Sequence, residues 1–267
     1  MLNGTRPPKI LITGGSGFLG WHLAAHLSKK YSVAVTCHSR KISIPNCQVF
    51  QLDLERLFTI KHCLTRFNPD IMIHAAAMAD TTACKQNPPA ARNINTLGTE
   101  RLLRSIANPR TLFVYISTDL VFDGERAPYR EKDDVHPISV YGHSKLEAER
   151  AVGKYWPNHV ILRTALLYGP PNPFGRGSFL QWMDAGLQCR ESLNLFKDEF
   201  RTPVYVGDVV RAVEALTHRT FHYRTYHLGG PERISRAEFG KKLAKIRGVD
   251  DSCIHEVSLE EMNLSSV

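Results

Sequence analysis

Lys9-Ile10-Leu11-Ile12-Thr13-Gly14-Gly15-Ser16-Gly17-Phe18-Leu19-Gly20 is the stretch on which the fold turns. An apolar run, KILIT (9–13), reads as a strand and gives way at once to glycines. Residues 17–30 follow with Leu19, Leu23 and Leu27 at helical spacing, which predicts an amphipathic helix. Working outward, SVAVTC (32–37) reads as a second strand and VFQLDL (49–54) as a third. Residues 55–67 read as a helix stopped by Asn68-Pro69, and IMIHAAA (71–77) as a fourth strand. A helix over 90–107, despite Gly98, leads to a fifth strand, TLFVYIS (111–117). After a charged, proline-containing loop (118–140) come a helix over 141–155 and the strand VILRT (160–164). Such alternation of strand and helix implies a parallel sheet wrapped by helices.

After Tyr168 the pattern loosens. GPPNPFGRG (169–177) cannot be regular structure, and shorter elements follow: helices near 178–188, 207–217 and 235–247, and strands near 193–196 and 225–228. The expected fold is α/β: a doubly wound, Rossmann-type parallel sheet over 1–168, with a smaller C-terminal substrate lobe over 169–267 packed discontinuously on the same core. The length of 267 residues accommodates one such core, and 43% hydrophobic with 22% charged residues is ordinary globular composition.

A glycine pattern between a strand and a helix is the context that dinucleotide binding requires. Gly14 permits the tight turn, Gly17 lets backbone amides approach a pyrophosphate, and Gly20 lets the helix pack closely. The helix N-terminus, at Phe18 and Leu19, offers unpaired amides to phosphate. NAD-specific proteins place an acid after the second strand for the ribose 2′-hydroxyl. This chain has His38-Ser39-Arg40-Lys41 instead, and no acid before Asp53. A guanidinium at Arg40 suits a 2′-phosphate, so NADP (NADPH) is the expected cofactor, with NAD as the alternative.

Tyr141-Gly142-His143-Ser144-Lys145 sets a phenol and an ammonium one helical turn apart on one face. A free tyrosine titrates at ~10, and the Lys145 cation, with the positive nicotinamide of the oxidised cofactor, is expected to favour the phenolate. Tyr141 could then pass a proton to a carbonyl oxygen while hydride arrives from the cofactor. Thr118, at the end of the fifth strand, could hold the same oxygen. His74, alone at a strand end, reads as a packed histidine needing only a hydrogen-bond partner. Asp208 reads as a helix N-terminal charge.

The glycine turn, Ser117-Thr118 and Tyr-x-x-x-Lys together resemble the short-chain dehydrogenase/reductase family. QLDL (51–54), HAAA (74–77), STD…VFDG (117–124), LRTALLYGP (162–170) and RTPVYVGDVV (201–210) resemble its extended branch, and within it the dTDP-4-dehydrorhamnose reductase-like group. The resemblance implies a catalytic set of Thr118, Tyr141 and Lys145. It implies cofactor contacts at Asp53 and Leu54 with adenine and at Ala75, Ala76 and Ala77 with ribose, joined by Tyr141 and Lys145. Asp119 and Arg201 become candidate substrate contacts, and the expected activity is reduction of a ketone on a nucleotide-linked sugar. Nucleotide-sugar 4,6-dehydratases carry an acid where this chain has Leu120, and a 4-epimerase normally lacks the aspartates of STD…VFDG. The group's sugar-packing tryptophan is replaced by Leu166, and its polar residues after the fourth strand by Ala79, Thr82 and Lys85, which points away from the rhamnose precursor itself. The non-catalytic, NADP-binding β subunit of methionine adenosyltransferase resembles the same group and keeps the Tyr-x-x-x-Lys motif, so a regulatory subunit is the alternative reading.

The formal charge of +8 suits an anionic small molecule. The basic residues form no block or aromatic-interleaved stripe, so no nucleic-acid partner is expected. The six cysteines (37, 47, 63, 84, 189 and 253) show no CxxC pairing or zinc-type cluster, so no metal is expected and the thiols read as reduced. MLNGTRPPK lacks the apolar run of a signal peptide, and no stretch has a membrane-spanning length. Cytoplasm is the expected compartment, with a homodimer or a partner enzyme left open.

Overall fold

Ile10, Leu11 and Ile12 are all fully buried, although alternate strand residues face opposite ways, so the first strand must be covered on both sides. In the computed structural model, which describes residues 6–174, 178–217 and 224–262, it lies inside a parallel sheet. The strands are β1 (Lys9–Thr13), β2 (Ser32–Cys37), β3 (Cys47–Gln51), β4 (Ile71–His74), β5 (Leu112–Thr118), β6 (His159–Thr164) and, much later in the chain, β11 (Arg224–Leu228). Their spatial order is β11-β6-β5-β4-β1-β2-β3. The chain winds one way from β1 to β3 and the other way from β4 onward. A switch point therefore opens between β1 and β4 at the strands' carboxyl ends, where ligands of such sheets bind.

Each face has its own helices. α1 (Phe18–Leu27) sends Leu19, Leu23 and Leu27 onto Ile10, Ile12, Val33 and Val35. The opposite face is covered by α2 (Leu57–Phe67), α5 (Gly98–Ser105) and α6 (Val140–Tyr155), which bury Ile60, Leu64, Leu102, Ala148 and Val152 against Leu11, Met72, Phe113 and Tyr115.

Several boundaries differ from expectation. β3 ends at Gln51 rather than 54: the Leu52 N–H makes a last bond to the Cys37 carbonyl at 2.9 Å, and Leu54 is buried, at 7% exposure, outside the register with β2. The fourth strand ends at His74, and α3 (Thr81–Gln86) occupies the loop beyond it. The predicted helix over 90–107 is α4 (Pro88–Ala91), then a π-helical stretch (Arg92–Leu97), then α5. Gly98 sits at that junction, where a Cβ would come 2.9 Å from the Leu54 Cβ.

The described residues after 168 divide between the main core and a smaller lobe. The Val206, Val209, Val210, Val213 and Leu216 stripe of α8 (Val206–Leu216) joins the α1 side of the main core, and β11 pairs with β6 along its length. The smaller lobe is α7 (Phe179–Cys189), β8 (Leu193–Phe196), β9 (Phe200–Arg201), β12 (Ile234–Ser235), α9 (Arg236–Arg247) and β13 (Ile254–Val257). It has its own core of Met183, Leu187, Leu193, Leu195, Leu243 and Ile254. Two short strands, β7 (Leu167–Tyr168) and β10 (Val204–Tyr205), pair where the chain passes between the two parts. All six cysteines are free, and no helix among the described residues is long and apolar enough to cross a membrane.

Candidate active site

Gly14 has φ +78°, which a side chain would strain, and a Cβ there would lie 2.9 Å from the Ala76 Cα. The turn after β1 thus presses against the turn after β4, and a Cβ at Gly20 would strike the Gly14 carbonyl oxygen at 2.1 Å. Gly17, exposed at the N-cap of α1, supplies no side-chain cap, and no acidic residue lies in the first turn. The leading amides, including those of Phe18 and Leu19, are left to an anion, with the positive end of the helix dipole behind them. This cradle fits a dinucleotide pyrophosphate.

Thr13 holds the opposite wall. Its Oγ1 accepts the N–H groups of Ala75 and Ala76, both at 3.1 Å, so its hydrogen goes to His74 Nδ1 at 2.7 Å. Thr99 Oγ1 donates to the Asn95 carbonyl at 2.6 Å and therefore accepts from His74 Nε2 at 3.0 Å. His74 is thus a neutral Nε2–H tautomer, held down to about 3 by burial and then by the Lys145 charge. Through Thr13 it braces the turn at Ala75 and Ala76.

The residues expected near the adenosine divide. Arg40 is exposed just past β2. Asp53 meets Arg56 at 3.3 Å and His38 at 3.6 Å, while the Leu54 side chain packs inward against Gly98.

Thr118 closes β5, where its Oγ1 donates to Asp119 Oδ1 and accepts the Leu120 N–H, each at 3.2 Å. α6 starts directly above. Ser139 caps it through the Gly142 N–H at 3.0 Å, and Gly142 rides so close to the Leu120 carbonyl that a Cβ would lie 2.2 Å away. That contact sets half-buried Tyr141 over the end of β5. Lys145 is 2% exposed; its Nζ donates to the Ile116 carbonyl at 2.7 Å and lies 4.1 Å from the centre of the Tyr115 ring.

The protein's own groups, taken without the nicotinamide charge, do not favour the phenolate expected at Tyr141. Burial, then the Asp119 carboxylate, push the phenol well above its usual range, with Arg201 opposing. Lys145 points down to the strand, and burial lowers it to about 7 against the pull of Glu149. Tyr141 is therefore a neutral phenol, poised as a proton donor.

Asp119 and Arg201, expected to touch substrate, hold each other. The guanidinium donates to the carboxylate at 3.2 and 2.6 Å, joining the end of β5 to β9 of the smaller lobe. Glu199 extends the chain, lying 4.0 Å from Arg201 and taking two bonds from Arg236 at 3.0 and 2.8 Å. Asp208 sits in the first turn of α8 and pairs with Arg211. Among the described residues, no group of His, Cys, Asp and Glu is placed to hold a metal.

Residue reading missed two buried polar groups. Asn95 accepts the Met78 N–H at 2.8 Å and donates to the Met78 carbonyl at 3.0 Å and to Ser144 Oγ at 2.9 Å, fixing α6 to the loop after β4. Glu149, Arg163 and Ser117 form a second cluster behind Lys145. A signal for the second was present: Arg163 is a charge inside VILRT, a strand covered on both faces.

With two motifs meeting over the carboxyl ends of a doubly wound sheet, and a second lobe beside them, the chain has the build of an extended short-chain dehydrogenase/reductase. More narrowly, it belongs to the family described as RmlD substrate binding domain, whose model matches residues 8–266. The probable low-salt glycan biosynthesis reductase Agl14 of Haloferax volcanii is 28% identical over 94% of this chain and 84% of its own length. The methionine adenosyltransferase 2 subunit beta of Bos taurus is 28% identical over 94% of this chain and 75% of its own. The crystal structure of dTDP-4-dehydrorhamnose reductase from Bacillus anthracis in complex with NADP superposes with a TM-score of 0.85 at 27% identity, covering 98% of this chain and 88% of that one.

Proposed function

We propose that this protein uses NADPH to reduce a ketone on a nucleotide-linked sugar. The observation that supports the reading is that the start of α6, with Tyr141 and Lys145, is fastened to the end of β5 around Thr118 by the Lys145–Ile116 bond and the Gly142–Leu120 approach, in a sheet whose glycine turn leaves an uncapped helix N-terminus. The similarity to a dTDP-4-dehydrorhamnose reductase solved with NADP supports it. The amides of Phe18 and Leu19 would take the pyrophosphate, Arg40 the 2′-phosphate, and Ala75–Ala77 with Tyr141 and Lys145 the nicotinamide ribose. When bound, the cofactor supplies the hydride.

The chain's own residues handle the oxygen. Tyr141, neutral at physiological pH, gives its proton to the oxygen as negative charge develops there. Thr118, its hydroxyl now shared with Asp119, turns that hydrogen toward the same oxygen and orients the ketone. Lys145 offsets the phenolate left behind. Arg201, poised beside Asp119, is the group that would meet the substrate's diphosphate, and Leu166 leaves the sugar without a flat aromatic wall. The reaction is expected in the cytoplasm.

Oxidation of NADPH on addition of a panel of 4-keto nucleotide sugars tests the reading. No oxidation with any of them, in protein shown to bind NADPH, would replace it with a regulatory subunit like the similar methionine adenosyltransferase partner, and co-purification of a synthetase would then be sought.

A further inference from the structure

Tyr141, Lys145 and Glu149 recur every fourth residue along α6 and so lie on one face of it. Glu149 is 6% exposed. Its carboxylate accepts Ser117 Oγ at 2.5 Å, and Arg163 donates to it from Nε at 3.0 and 3.2 Å and from Nη2 at 2.7 Å. Ser117 and Arg163 are register partners across β5 and β6, so one carboxylate ties both strands to the helix. Lys145 meanwhile takes the carbonyl of Ile116. Two successive helix groups are thus fastened to the two residues that precede Thr118.

The rest of this interface is closed by Ala148, Val152, Phe113 and Ile161. A buried ion pair is seldom more stabilising than apolar residues of the same volume. Closure alone therefore does not account for a charge at 149. We propose that Glu149 is a positioning residue: through Ser117 and Arg163 it fixes the strand end that carries Thr118, and it sets a carboxylate one helical turn from Lys145 on the face that carries Tyr141. The catalytic consequence rests on the reductase reading, whereas the effect on Lys145 does not.

The surroundings leave the effect on Lys145 to Glu149. Tyr115, from β5, lies under Lys145 and is held protonated by its burial. His74, from β4, is held neutral. His227, from β11, is lowered mainly by burial, and Arg163, from β6, is bound up with the carboxylate itself. Glu149 is what opposes the burial of Lys145.

The test follows the Lys145 titration by NMR in the full chain labelled with 13Cε-lysine, the signal being identified by its loss in Lys145→Arg. Glu149→Gln leaves Arg163 unpaired, so Glu149→Gln/Arg163→Met is measured beside it. Glu147→Gln, which alters a surface pair with Arg92 on the same helix, is the control. Both Glu149 variants are expected to raise the acid dissociation constant of Lys145 by about tenfold or more, with the control unchanged. If turnover is found, the alkaline limb of its pH profile moves down by the same amount. A folded Glu149→Gln/Arg163→Met protein in which the Lys145 midpoint stays in place would overturn the proposal and leave Glu149 a structural residue, whatever its turnover. Absence of turnover in the parent protein would count against the reductase reading, and the NMR titration would still decide the role of Glu149.

Discussion

The glycine turn at Gly14–Gly20 and the cross-lobe strut at Asp119–Arg201 both follow the carboxyl ends of sheet strands, and they are made of different materials. The turn is contiguous sequence whose function lies in backbone: a positive φ, a close approach and uncapped amides. The strut joins residues 82 positions apart through charged side chains, and Glu199 and Arg236 continue it into the smaller lobe. One side presents a ready surface to an anionic cofactor. The other already satisfies its own charges, so a ligand there must compete with Asp119 for Arg201. The contrast implies that cofactor binding and substrate handling can be damaged separately.

The largest effect should come from Tyr141, which stands between the two. Tyr141→Phe removes the proton donor and leaves the turn alone, so turnover should fall by ~100-fold or more while NADPH affinity stays at the parental value. A mutant reducing substrate at the parental rate would show that the proton comes from elsewhere. Lys145 adds a stability test. Folded, it titrates near 7, whereas an unfolded lysine does so near ~10.4. The unfolded chain binds more protons between those values, so the cost of burying Lys145 is full below pH ~7 and fades as pH rises toward ~10. Lys145→Met should abolish turnover yet raise Tm by roughly several degrees at pH ~6, and by little at pH ~10. An equal change at both would mean that burial does not hold the amine down.

The same contrast explains what the sequence disclosed. β1 and β2 fall at their expected residues because their apolar runs are buried on both faces and stop at glycine or polar residues. The expected end of β3 runs past Gln51 because Leu54 looks like a strand residue, and apolar periodicity reports burial rather than pairing. The π-helical stretch at Arg92–Leu97 rests on i→i+5 bonding, which side-chain types over a single such turn do not disclose. In the site, Gly14, Thr118, Tyr141 and Lys145 could be read because each stands in a local motif. The partners that set their chemistry could not: Thr13 with His74, Asn95 with Ser144 and Ser117 with Glu149 meet only after folding. The missing link cost one expectation, the phenolate at Tyr141, since nothing local tells that Lys145 turns toward Ile116.

On the backbone-built side, the single side chain assigned to selection is Arg40. Its exposed guanidinium, with no acid at the end of β2, should favour the 2′-phosphate. Arg40→Ala should weaken NADPH by ~1.5–3 kcal/mol and leave NADH nearly unchanged, as read by titration calorimetry. Equal losses for the two cofactors would assign Arg40 to structure and leave selection to Lys41 or to backbone.

The smallest effect is expected at the strut, and it decides whether the charged side holds the two parts together or only stands ready for substrate. The Asp119 and Arg201 side chains keep 31% and 13% of their exposure, so solvent still screens the pair, but the fork-on geometry and the Glu199 and Arg236 extension reduce the entropy lost per bond. A double-mutant cycle of Asp119→Asn and Arg201→Gln, read by urea unfolding, should give a coupling of ~1 kcal/mol. NADPH affinity should be the same in all four proteins, because the glycine turn makes none of these contacts. If turnover is found, Arg201→Gln should raise KM for the nucleotide sugar while Asp119→Asn, which frees the guanidinium, should not. A coupling near zero with that KM pattern intact would make the pair a parked substrate-binding group and not a strut. A coupling near ~1 kcal/mol with KM unmoved by either change would make it a strut alone, and the diphosphate would have to be met by another residue of the smaller lobe.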